Sequence, residues 1–204
     1  MPIDRRRLLL LLPLAVAACG NETPPRTSFP PLVYDYLSPI GLNVAQVETE
    51  VRAVPNINVP TPVDPVAALV RMGHDRLKAY GNSGRAVMTV TEVSLVTRSG
   101  GYEGTFGVQL DIYTSADTRA GYAEARVYRR VDSDSSDMRG AVYDLEKQLM
   151  DAMNVELEYQ VRRSLKTWIV TTPPTVPTPV QQQPLPAPGS PAAATTPPPS
   201  STAS

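Results

Sequence analysis

None of the 22 prolines in this 204-residue chain falls between Pro65 and Pro173. Proline has no amide donor and breaks both helices and sheet ladders, so continuous hydrogen-bonded structure is expected inside that stretch and interrupted on both sides of it. From Asn21 to about Pro65 the chain carries Pro24-Pro25, Pro30-Pro31, Pro55, Pro60 and Pro62 around a single apolar segment. It reads as a tether that becomes a strand and then an extended connection. From Thr171 to Ser204 there is no charged and no aromatic residue. Such a segment buries too little surface to offset its chain entropy, and a disordered, polyproline-like tail is expected there. The remainder is sized for one domain. With only two Phe and one Trp in the chain, its core must be built mainly from Val, Leu and Ala.

Inside the proline-poor region the periodicities are readable. Asp64-Pro65 is a helix start, a capping carboxylate followed by proline at the first helical position. Val66, Leu69, Val70, Leu77 and Tyr80 follow at helical spacing, with Gly81 or Gly84 as the stop. Ala86 to Thr97 alternates and is rich in Val and Thr, a strand, and Gly100-Gly101 is a turn. Phe106, Val108, Leu110 and Ile112 form the apolar face of a second strand, and Ala123, Ala125, Val127 and Val131 that of a third. From Asp137 to Ile169, Met138, Val142, Leu145, Leu149, Met153, Leu157, Val161, Leu165 and Trp168 keep one stripe on a helix of roughly 50 Å. A helix of that length would overhang a strand of ordinary length or kink, with Asn154 the expected place. With Ile40 to Val51 as the first strand, the order is β-α-β-β-β-α. The expected fold is α+β: a two-layer sandwich with a four-stranded, mainly antiparallel sheet under two helices.

The N-terminus has its own logic. Arg5-Arg6-Arg7, the apolar run Leu8 to Leu12 and the small residues before Cys19 make a secretory signal peptide, too short at its apolar centre for a stable span. Val16-Ala17-Ala18-Cys19 resembles the bacterial lipoprotein cleavage site, the lipobox. The resemblance implies cleavage after Ala18 and acylation of Cys19. Several acyl chains, at about 0.8 kcal/mol per buried methylene, would then hold the protein on a membrane. Cys19 is the only cysteine, and a lone thiol in an oxidising compartment has no partner; acylation removes that difficulty. An ordinary signal peptide with an incidental cysteine is the competing reading. Gly20 follows at the position where, by resemblance to the enterobacterial sorting rule, an aspartate would favour inner-membrane retention; the resemblance implies the outer membrane facing the periplasm, with the inner membrane as the alternative. The expected division is signal peptide 1–18, tether 19–38, α+β domain 39–170 and Pro-rich tail 171–204.

The β-α-β-β-β-α order behind a lipobox resembles the lipopolysaccharide-assembly lipoprotein and the auxiliary lipoprotein of ABC-type transport systems. Leu149-Met150-Asp151-Ala152-Met153-Asn154-Val155-Glu156-Leu157-Glu158, Val161-Arg162 and Phe29-Pro30-Pro31-Leu32 are similar to segments of uncharacterised proteobacterial lipoproteins. The resemblance implies a lipid-anchored accessory of an envelope transport or assembly system that works by binding a protein partner. The alternative is a structural envelope lipoprotein whose tail contacts or spans peptidoglycan.

The residues offer little chemistry. His74, the only histidine, stands beside Asp75 on the first helix, and adjacent helical residues diverge by about 100°. No nucleophile motif and no second histidine accompany it, so a surface residue is expected. Asp132, Asp134 and Asp137 lack the glycine and the terminal glutamate of a calcium loop and fit the N-terminus of the last helix. Gly100, Gly101 and Gly104 precede no helix and make no phosphate cradle. Neither catalysis, a cofactor nor a metal is expected. With Arg5-Arg6-Arg7 removed in the signal peptide, what remains is slightly acidic and holds no basic run, so no nucleic acid is expected either.

Overall fold

The computed structural model describes residues 25–133 and 137–170. Strand β1 (Ile40–Leu42) is followed by β2 (Gln46–Val51), β3 (Asn56–Ile57), helix α1 (Pro65–Arg76), β4 (Leu77–Ala79), the three long strands β5 (Arg85–Arg98), β6 (Gly101–Tyr113) and β7 (Arg119–Asp132), helix α2 (Met138–Ser164) and a 3-10 turn, Lys166–Trp168. The α+β class and the two helices match the sequence reading. The sheet does not: five strands form a mixed main sheet, and β1 with β4 form a separate two-stranded parallel one.

Strands β5, β6 and β7 are an antiparallel meander, while β2 and β3 both add to the far edge of β5 in parallel. The parallel pairing follows from the connection, because the chain between β2 and β5 must return across the sheet through α1. Ile40 to Val51 does not run as one strand. Asn43 donates its amide to the Trp168 carbonyl and Ala45 donates to Ser83 and Gly84, turning the chain between the two sheets.

Helix α1 opens as its sequence dictates, with Asp64 accepting from the amides of Val66 and Ala67 and Pro65 in the first turn. It stops at Arg76, earlier than Gly81. Leu77 is worth more as a buried strand residue opposite Ile40 than as another helical turn. In β5 a bulge between Val90 and Glu92 shifts the alternation by one residue. Ala86, Met88 and Val90 face the core before it, Val93 and Leu95 after it.

Helix α2 runs without a break through Asn154 and covers β6 and β7, while α1 covers β2 and β5. The expected overhang disappears because the strands are long: 13 and 14 residues of β6 and β7 reach about 45 Å, and the 27 residues of α2 about 40 Å. Val142, Leu145, Leu149, Met153, Leu157, Val161 and Leu165 are buried as the stripe requires, whereas Met138 is exposed. Leu149 lies directly over Gly104, where a Cβ would stand under 3 Å from the Leu149 and Leu95 methyls. Gly104 thus belongs to the sheet-helix contact; the hairpin turn itself is made at Gly100, in the left-handed region. After α2 the chain closes on β1: Ile169 bridges Leu42, and Val170 donates to the Gly41 carbonyl.

Two polar residues interrupt the buried side of α2. The Nδ2 of Asn154 donates to the Met150 carbonyl at 2.9 Å. Glu146, one residue beyond the stripe position Leu145, is 1% exposed, and neither of its oxygens has a well-formed hydrogen bond among the described residues. Burial, and secondarily the Asp64 carboxylate, push Glu146 up to about 8, against a smaller pull from the Val63 amide.

Leu149→Ala should cost about 2 to 5 kcal/mol in chemical denaturation through lost burial and a cavity, with the exposed Gln148→Ala near zero. For Glu146, an unfolded glutamate loses its proton near pH 4.3 while the folded one keeps it to about pH 8. Between these values the folded state binds more protons, so stability falls as pH rises from about 5 to about 8. Glu146→Gln should flatten that decline and leave the variant more stable than the parent at pH 9 by on the order of 1 kcal/mol or more; unfolding curves across pH check both.

Candidate functional site

The segment leading from the N-terminus into the domain is not a free tether over its described length. It forms a strap along α2, and the packed domain includes residues well before position 39. The amide of Arg26 donates to Asp137 Oδ2 at 3.0 Å, and its guanidinium makes a two-pronged pair with Asp144 at 2.8 and 3.0 Å. Phe29 packs on Tyr143 with ring centroids 5.4 Å apart, and the Arg139 guanidinium lies 5.0 Å from the other ring partner, Phe29. The Tyr143 hydroxyl donates to the Pro30 carbonyl at 3.0 Å. Leu32 and Tyr34 are then buried.

Tyr34 joins three elements. Its amide donates to Asp75 on α1, and its hydroxyl donates to Asp151 on α2, each at 3.3 Å. Burial first, then Asp151, drives its hydroxyl pKa far above the usual tyrosine range, so it remains a donor. Asp151 also accepts from Lys147 at 2.7 Å. Just beyond, the buried Arg76 donates to the Ser38 carbonyl and to the Glu158 carboxylate, fastening the strap's end to both helices. Burial opposes the charge on Glu158, yet hydrogen bonds from Arg162 and Arg76 hold its carboxyl below the ordinary range.

These contacts are not of equal weight. The Arg26–Asp144 pair is close to half exposed on both sides, and such pairs contribute about 0 to 1 kcal/mol. Burying Leu32 and Tyr34 contributes more, about 1.5 to 3 kcal/mol for a large apolar side chain. Asp144 raises the Arg26 pKa, and the amides of Arg26 and Gly140 lower that of Asp137.

The face of the main sheet away from the helices is polar and closely paired. Arg126 on β7 reaches Glu92 on β5 at 2.6 and 2.9 Å, passing over Gly107, which has no side chain to obstruct it. Glu103 accepts from Arg98 and from Tyr128, and Asp111 from Arg119 and Gln109. Arg126 and Arg98 hold the carboxyls of Glu92 and Glu103 below the usual range. Among the described residues this face is dominated by cross-strand pairs, with Val87, Thr89 and Asp111 buried within it.

The residues singled out in the sequence separate. Cys19, the lipidation candidate, lies outside the described residues, as does Asp134. His74 is exposed on α1. Asp137 caps α2 by accepting from the Gly140 amide, and Asp132 closes β7 beside Arg130. Among the described residues no three His, Cys, Asp or Glu side chains come together as a metal site, and no helix is long and apolar enough to cross a membrane. The strap was missed in the sequence although its signal was present. Phe29, Leu32 and Tyr34 are apolar or aromatic residues that a solvated tether has no use for.

No family model matches the sequence, and no curated protein matches it. Among solved structures, the chain is similar to a neuraminyllactose-binding hemagglutinin homolog from Helicobacter pylori, at 7% identity and a TM-score of 0.35, over 63% of this chain and 90% of that one. It is also similar to a minor lipoprotein from Acinetobacter baumannii, at 10% identity and a TM-score of 0.25, over 64% and 99%. At such scores neither likeness carries a functional assignment. The reading rests on the chain's own residues.

Tyr34→Ala should destabilise the domain by about 3 kcal/mol or more, whereas Asp144→Ala should cost below about 1 kcal/mol. Denaturant midpoints of the two variants, measured side by side, rank the contacts.

Proposed function

We propose that this protein is a lipid-anchored envelope protein, held at the outer membrane through acylated Cys19 and facing the periplasm, that acts by binding a protein partner in an envelope transport or assembly system. The observation that carries the reading is the strap. Its first packed residue, Arg26, stands seven positions after Cys19, a span of at most about 25 Å for an extended chain. An anchor at Cys19 therefore holds the domain beside the bilayer, with the N-terminal end of α2 toward it. The polar outer sheet face and the absence of converging catalytic groups among the described residues support binding rather than catalysis.

Cys19→Ser, expressed with its own leader, should lose the acyl mass increment and detergent-phase partitioning, and accumulate as unprocessed or mislocalised precursor. Normal maturation and unchanged membrane association of this variant would overturn the assignment. Affinity purification of the membrane-extracted wild-type protein should recover a stoichiometric envelope partner.

A further inference from the structure

Strand β7 is the edge of the main sheet, 14 residues long, and no other described strand pairs with its outer side. Edges of this length recruit another strand unless they are blocked. Beside it, α2 presents a flank of Gln148, Ala152, Val155 and Tyr159, spaced to share one side of the helix. Val155 is 72% exposed and Tyr159 54%. Strand and flank together line a groove of about 570 Å³ that includes Val127, Arg129, Ala152 and Val155.

We propose that this edge pairs with the same edge of a second copy of the chain, β7 against β7 antiparallel, around a two-fold axis at Val127. Charge complementarity selects this register. In an antiparallel pair, residues directly opposite share a face and interact. With Val127 opposite its own copy, Glu124 faces Arg130 and Arg126 faces Tyr128, and each pairing occurs twice. Shifting the axis by one residue destroys this. An axis at Arg126 places arginine on arginine, and one at Tyr128 places Arg126 on Arg130 and Glu124 on Asp132.

The helix side agrees with the same axis. Leu149 stands over Gly104, which pairs with Arg129, and Leu165 approaches Gly121. Helix α2 therefore runs opposite to β7, and Val127 lies at the level of about residue 153. A two-fold axis there brings Ala152 of one copy beside Val155 of the other, covering the exposed apolar flank. Arg129 donates only to the Tyr128 carbonyl and has no carboxylate partner among the described residues. Opposite Ala125 of the other copy, it reaches the level of Glu156.

The test is the association state of the full-length lipoprotein, purified from membranes in detergent, by light scattering with chromatography. A dimer is expected. Glu124→Arg should weaken it at least tenfold by setting arginine against Arg130, and adding Arg130→Glu should restore it. Val155→Arg should weaken it to a similar degree. All three positions are solvent-exposed, and circular dichroism should report an unchanged fold. A chain that stays monomeric up to about 100 µM, a dimer indifferent to these substitutions, or a failure of Arg130→Glu to rescue would overturn the proposal, as would occupation of this edge by a peptide of another protein.

Discussion

The match in length between one helix and two strands governs the structure. A helix gains about 1.5 Å per residue and a strand about 3.3 Å, so 27 helical residues and 13 or 14 strand residues span nearly the same distance. That equality lets a seven-residue stripe along α2 and its C-cap lie buried from Val142 to Leu165. It also requires that nothing stand between the layers where they are closest, which is why Gly104 lies beneath Leu149. The strap packs along the helix that this contact holds on the sheet.

Much of this was legible in the sequence. The start of α1 was readable because a capping carboxylate and Pro65 act within one turn, and the long strands and α2 because their periodicities persist over many residues. What escaped depends on neighbours distant in the chain. The end of α1 is decided by Leu77 finding Ile40, thirty-seven positions away. The split of Ile40 to Val51 into two strands is decided by Trp168 and Gly84. Length itself misled: an ordinary strand of five or six residues made the helix look too long, and the remedy lay in the alternation that runs from Gly121 to Val127 and resumes at Val131.

Glu146 shows that a residue just outside a helix's apolar stripe can still be buried. A residue one position from Leu145 is turned by about 100°, which on an isolated helix means exposure. Here the loop before α1 closes over that side, and the carboxyl is buried beside Asp64. The candidate site was obscured in the opposite way. Its residues lie in a proline-rich stretch whose composition speaks for an extended chain, and an extended chain can still be packed.

The strap also gives the domain a direction under load. Chain drawn away from Arg26 meets its contacts in a fixed sequence: the half-exposed pair with Asp144, then Phe29 on Tyr143, then the buried Leu32 and Tyr34. Resistance therefore rises as the segment peels. A small pull frees only the first few residues and adds about 3.5 Å of slack for each, while the core beneath is first opened when Leu32 leaves it. The strap is a graded spring in series with the domain, yielding first where yielding costs least.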